Sequence, residues 1–255
     1  MGEWVRPGSV DSVSGVLFDL GGTLFSYEHR EQMGQANAAA LARLGFDPAD
    51  PDVRAARRAA SEDVHRAYAD RRSFRHADLF RDRVARTAAL LGVEASAEIL
   101  EIFDAENLRN IIEFMPPRRD AAATLQGLLD RGVYRAVVSN ADDDYLGPVI
   151  ERHGLDGLLD HWTSSEEAGS CKPDTGIYDL ALAKAASSAA DVLFVGDSLE
   201  HDIAGANAVG IRSVLIVNEG VPTPLSDGLE TTAVPDFRIE RLRDVLDIVD
   251  ELNGH

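Results

Sequence analysis

The chain holds a single cysteine, Cys171, among 255 residues. An intramolecular disulfide and a multi-cysteine metal site are therefore excluded, and a reducing compartment suits it. Lysine is nearly as scarce: Lys172 and Lys184 are the only two, and arginine supplies the other side-chain cations. Lys and Arg together number 25 against 44 acidic residues, a formal charge of −19. A chain this anionic repels phosphate backbones and anionic lipid, so nucleic acid and membrane surfaces are not expected as partners. No segment approaches the roughly 18 consecutive apolar residues of a membrane span. The start, Met1-Gly2-Glu3-Trp4-Val5-Arg6-Pro7, lacks the apolar stretch of a signal peptide, and the expected location is cytoplasmic.

What is present describes a globular protein: 45% of residues are hydrophobic and 27% charged, and the length suits two unequal units. Short apolar runs at Val16-Leu17-Phe18, Tyr134 to Val138, Val192 to Val195 and Ser213 to Val217, with Trp162-Thr163-Ser164 between them, read as strands. Because they are apolar throughout rather than alternating, they suit parallel strands buried on both faces of a sheet. The expected fold is α/β, a Rossmann-like doubly wound parallel sheet core over residues 1–27 and 114–255, with an inserted all-helical unit over 28–113. Its helices are expected near His29 to Leu44, Val53 to Ala69, Ala77 to Leu91 and Ala97 to Ile112, broken by Gly45, Pro48, Pro51 and Gly92. Hinges are expected near Ser26-Tyr27 and Met115-Pro116-Pro117. Pro222, Pro224, Gly228 and Pro235 mark a late irregular loop, and Arg241 to Leu252 reads as a closing helix.

Four strand ends carry chemistry, and in a doubly wound sheet all of them open onto one crevice. Asp19-Leu20-Gly21-Gly22-Thr23 offers a carboxylate, exposed amides and a hydroxyl. Ser139-Asn140 again places a hydroxyl and amides at a strand end. In Cys171-Lys172-Pro173-Asp174, Asp174 can cap the following helix and Lys172 supplies a fixed cation. Gly196-Asp197-Ser198, with Asp202 beyond it, adds two carboxylates to that of Asp19, a hard oxygen set suited to Mg²⁺.

Taken in order, the four clusters resemble the motifs of the haloacid dehalogenase-like (HAD) hydrolase superfamily, and the helical insertion looks like its type-1 cap. The resemblance implies that Asp19 is a nucleophile forming a covalent aspartyl intermediate. It implies that Thr23, Ser139 and Lys172 hold phosphoryl oxygens, with Asn140 beside them in substrate binding. Asp197 and Asp202 would hold Mg²⁺ beside Asp19 and the backbone carbonyl of Gly21. The implied activity is Mg²⁺-dependent hydrolysis of a small phosphomonoester, an anionic substrate.

One position departs from the family pattern. Phosphatases of the family usually carry a second aspartate two residues after the nucleophile as general acid and base, worth roughly 10² to 10⁴ in rate. Here that position is Gly21. Two alternatives follow, a 2-haloacid dehalogenase, whose halide leaving group needs no proton, and a phosphate-binding module that has lost turnover. Tyr27, Glu28, His29 and His201 are candidate proton carriers, each read first as an exposed polar residue and none placed in the catalytic set. A further oddity lies between Arg54 and Arg86, where ten arginines face five acidic residues. One or two are expected to face the cleft, with the Arg71-Arg72-Ser73-Phe74-Arg75-His76 loop the favoured place.

Overall fold

The computed structural model describes residues 12–217 and 232–254. Met1 to Pro7, and Pro222, Pro224 and Gly228 of the expected late loop, lie outside the described residues. Six parallel strands make one sheet: β1 Gly15–Phe18, β2 Tyr134–Ser139, β3 His161–Ser164, β4 Val192–Gly196, β5 Arg212–Ile216 and β6 Phe237–Ile239, in the order β3-β2-β1-β4-β5-β6. Successive side chains point to opposite faces. Val16, Phe18, Val137, Leu193 and Val195 therefore bury in one core, and Leu17, Ala136, Val138, Val192 and Phe194 in the other.

Helices cover both faces. On the first lie α6 Ala121–Asp130, α7 Asp143–Arg152 and α11 Val245–Asn253, through Leu125, Leu146 and Val249. On the second lie α9 Thr175–Ala185 and α10 Ala204–Ala208, through Tyr178 and Ala206, while the single turn α8 Ser165–Ala168 follows β3 directly. This is the doubly wound α/β architecture expected. The closing helix is present but starts at Val245, behind a 3₁₀ turn at Leu242–Asp244. β6 was not anticipated, because three residues at a sheet edge give too short a run to register.

Between β1 and β2 the described chain is helical: α1 Arg30–Met33, α2 Gln35–Arg43, α3 Pro51–Tyr68, α4 His76–Leu90 and α5 Ala97–Phe114. The single helix expected from His29 to Leu44 is interrupted at Gly34. Asp50 caps α3, accepting from Asp52 N at 2.8 Å with Pro51 in the first turn, and Ser96 caps α5. These helices hold small cores of their own, Ala36, Ala40, Val84 and Phe103 in one and Val64, Tyr68 and Leu79 in another. Ala36 and Ala40 thus allow close helix packing as well as helix formation. No helix of the described residues is long and apolar enough to cross a membrane.

Candidate active site

In this strand order the chain builds outward from β1 to β2 and β3, then returns to β4 on the other side. The carboxyl ends of β1 and β4 flank the point of reversal, where such sheets open a crevice. Asp19 follows β1 directly, its N–H donating to Val195 O of β4 at 2.9 Å. The backbone then turns tightly, with Phe25 N bonded to Leu20 O and Gly22 N to Phe25 O. Gly22 has φ +82°, and a β-carbon there would collide with the Asp197 carboxylate. Glycine at 22 therefore serves both the turn and the approach of β4's acid to β1's.

Asp19, Asp197 and Asp202 bring one carboxylate oxygen each within 4.8 Å of one another. Lys172 Nζ lies between two of them, 2.6 Å from Asp19 Oδ1 and 2.6 Å from Asp202 Oδ1, and is almost fully buried. Ser139, the last residue of β2, donates to Asp19 Oδ1 at 3.2 Å. Burial pushes the Asp19 carboxyl up from 3.8 to about 6, with Lys172 opposing and Asp202 reinforcing the rise. Burial works against the charge of Lys172, yet Asp19 and Asp202 outweigh it and hold the ammonium well above the usual lysine range. Asp19 and Asp202 thus share the Lys172 ammonium, with the Asp197 carboxylate beside them. An all-oxygen set with surplus negative charge fits a hard divalent cation.

Lys172 is placed by its backbone. Its N–H donates to Asn140 Oδ1 at 2.6 Å, and its carbonyl accepts from Asn140 Nδ2 at 3.1 Å. Both ends of the Asn140 amide are therefore engaged with the lysine loop. Asp174 caps α9 as expected, accepting from Gly176 N at 3.0 Å.

Asp19, Gly21, Ser139, Asn140, Lys172, Asp197 and Asp202 all line one cavity of about 710 Å³, together with side chains of the helical insertion. Thr23 is fully buried and is not part of that lining; its hydroxyl has no hydrogen-bond partner among the described residues. Of the four proton-carrier candidates, Glu28 and His29 are exposed and pair with each other, whereas Tyr27 and His201 line the cavity. A β-carbon built on Gly21 would collide with the hydroxyl of Tyr27. Burial, with the Asp19 and Asp197 carboxylates adding to it, holds that phenol well above the usual tyrosine range and hence protonated.

The arginines divide differently from expectation. In the 71–76 loop, Arg72 pairs with Asp174 at 3.3 Å, Arg75 pairs with Asp144 and Glu166, and Arg71 stacks over the Tyr68 ring. Only His76 of that loop lines the cavity. The lining arginines are Arg54, Arg57 and Arg58 of α3 and Arg83 of α4, with Arg30 of α1. Trp162 packs against the core, and Cys171 is buried with its thiol pushed up by burial.

The covered parallel sheet carries a buried carboxylate at its reversal point, beside a fixed ammonium and two further acids, on an α/β fold of the doubly wound class. Residues 13–210 match the haloacid dehalogenase-like hydrolase family, to which the chain belongs. It is 32% identical over 237 residues to the ribulose-1,5-bisphosphate 5-phosphatase of Halopiger xanaduensis, covering 92% of this chain and 98% of that one. Among solved structures it resembles the magnesium-bound HAD-hydrolase YfnB of Bacillus subtilis, with TM-score 0.73, 18% identity, and coverage of 94% and 99%. It also resembles the L-2-haloacid dehalogenase of Xanthobacter autotrophicus, with TM-score 0.67, 25% identity, and coverage of 93% and 98%.

Proposed function

We propose that the protein is a Mg²⁺-dependent phosphomonoester hydrolase working through an aspartyl-phosphate on Asp19, with the helices over residues 28–113 acting as a cap across the site. The observation that carries this reading is the Lys172 ammonium held 2.6 Å from both Asp19 and Asp202. A carboxylate approaching a phosphate dianion meets like-charge repulsion, and a buried fixed cation offsets it without reorganising. In the first step an Asp19 oxygen bonds to phosphorus as the ester P–O bond breaks and its electron pair leaves on the alkoxide. In the second, water attacks phosphorus as the acyl-phosphate bond breaks, one water proton returns to the Tyr27 oxygen that protonated the alkoxide, and Asp19 and inorganic phosphate are released.

Ser139 and Lys172 hold phosphoryl oxygens, Thr23 offers a free hydroxyl to the same loop, and Asn140 fixes the backbone of Lys172. Asp19, Asp197, Asp202 and the Gly21 carbonyl are the residues that would hold Mg²⁺, which when bound supplies charge neutralisation. Tyr27 stands in for the missing second aspartate, its protonated phenol giving a proton to the leaving alkoxide. The full-length relative named as a bisphosphate phosphatase supports the reaction class. A 2-haloacid dehalogenase is the second reading, favoured by the absence of a carboxylate at 21 and by the likeness to a dehalogenase structure.

Phosphate and halide release from matched substrate panels, each with and without EDTA, test the two. Phosphate release that EDTA abolishes and Asp19→Asn eliminates is the expected result. Metal-independent halide release would install the dehalogenase, and anion binding without release of either product would leave a phosphate-binding module.

A further inference from the structure

The arginine-rich stretch of the insertion resolves into two populations. Arg66 and Arg86 pair with Asp63, Arg72 with Asp174, Arg75 with Asp144 and Glu166, and Arg81 with Asp104. Arg57 of α3 and Arg83 of α4 are different. Both are half-buried, both line the cavity that holds Asp19 and Lys172, and neither has a carboxylate partner among the described residues. Arg83 donates only to the Ser61 hydroxyl. Burial lowers both guanidinium pKa values, and the charge of Arg57 lowers that of Arg83 further, so the two cations are close enough to repel.

In a chain with 44 acidic residues, leaving two neighbouring arginines unpaired in a partly dry wall is costly and is not for want of partners. The guanidinium fork matches carboxylate and phosphate geometry in bidentate fashion. Arg54 and Arg58 line the same wall from α3. A cavity of about 710 Å³ is far larger than one phosphoryl group needs, and its two charged ends belong to different units, the strand ends and the helical insertion.

We propose that Arg57 and Arg83 form a second anion subsite, so that the substrate is a small molecule with a phosphomonoester at one end and a second oxyanion, phosphate or carboxylate, at the other. This rests on the phosphatase reading for which end reacts, but the subsite itself is a statement about binding. Asp19 and Lys172 take the reacting phosphoryl group while the arginine pair takes the distal group. Closing the helices over the sheet would then satisfy two cations that the free protein leaves unpaired.

Non-hydrolysable probes separate binding from turnover. Binding of propylphosphonate, propane-1,3-bisphosphonate and 3-phosphonopropanoate, and of the matching five-carbon set, is measured by calorimetry on the full chain in Mg²⁺ buffer. At least one doubly anionic probe should bind about tenfold or more tighter than its singly anionic match. The bisphosphonate and carboxylate arms then report which distal group the pair prefers. Arg57→Gln and Arg83→Gln should each remove most of that advantage with little change for the alkylphosphonate, while Arg86→Gln, which is paired with Asp63 away from the cavity, should change neither. Equal affinity for both classes, no binding of any probe, or an advantage that survives the Arg57→Gln/Arg83→Gln double variant overturns the proposal. The wild-type comparison alone is decisive if a variant fails to fold. A preference for doubly anionic probes in a protein that releases no phosphate from any ester would uphold the subsite and sink the phosphatase reading.

Discussion

The hydroxyl of Tyr27 occupies the space that a β-carbon at Gly21 would need. Gly21 is not among the glycines with positive φ, so backbone geometry does not bar a side chain there; the phenol does. Gly21→Asp alone should therefore melt well below wild type and fail to accelerate alkyl phosphates. Tyr27→Ala makes room, and Gly21→Asp in that background should regain stability and hydrolyse alkyl phosphates faster than Tyr27→Ala alone. Tyr27→Phe should lower turnover of alkyl phosphates by about 10² while affecting p-nitrophenyl phosphate much less, since a good leaving group needs little protonation. Equal losses on both substrates would remove Tyr27 from proton transfer.

Asp19 gives a pH dependence of definite sign. Its carboxyl is raised from 3.8 to about 6, so the folded state holds the proton more tightly than the unfolded one. The stabilisation this confers is full below 3.8 and is lost as pH rises toward 6, a difference of about 3 kcal/mol at most. In EDTA, Asp19→Asn should melt above wild type at neutral pH and lose that advantage as pH falls below 3.8. Mg²⁺ should raise the wild-type melting temperature at neutral pH by binding the folded state, and Asp197→Asn or Asp202→Asn should blunt the rise. Coincident wild-type and Asp19→Asn melts from about pH 4 to pH 7 would contradict the assignment.

Lys172 is the one cation between Asp19 and Asp202 in the described site, so its removal has two consequences. Lys172→Met should cost about 10² to 10³ or more in kcat, the scale of a lost electrostatic contact. It should also destabilise the fold by about 3 kcal/mol or more, because two buried carboxylates are left facing each other. Lys172→Arg should recover part of the stability and little activity, since a planar fork does not reproduce a point charge between two carboxylates. A Lys172→Met protein with wild-type melting and turnover would refute the role.

Much of the site was legible because parallel strand ends meet wherever they fall in the chain. Asp19, Ser139, Lys172, Asp197 and Asp202 are up to 183 residues apart, and sheet order alone brings them to one crevice. Tyr27, the Arg57 and Arg83 pair and the His76 to Asp142 contact depend instead on how the helical insertion docks. Periodicity shows that Arg54, Arg57, Arg58 and Ser61 share a face of α3 beside the buried stripe of Val53, Ala60 and Val64, but not what that face looks onto. The loop at 71–76 misled because Arg72 and Arg75 are spent on Asp174, Asp144 and Glu166, acids contributed by distant segments, and Arg71 on the Tyr68 ring.

Asp142, just beyond β2, accepts from the backbone N–H of His76 and of Ala77, each at 2.7 Å. It thereby caps α4 from another element, since Arg75, the residue before α4, makes no side-chain cap of its own. Burial opposes the charge of Asp142, but the bonds from His76 and Ala77 hold its carboxyl below the usual 3.8. Its contribution to stability is therefore present above 3.8 and lost as pH falls through the lower folded value. Asp142→Ala should cost about 1 to 3 kcal/mol, the scale of a charge-assisted helix cap. The loss should be felt first as loosening of the insertion from the sheet. Limited proteolysis should then quicken near Ser26 to Glu28 and Glu113 to Pro117, KM for phosphomonoesters should rise more than kcat falls, and the wild-type acid sensitivity of the cleavage rate should disappear. Cleavage at those connections as slow as in wild type, or appearing first within Val192 to Val217, would show that Asp142 does not hold the two units together.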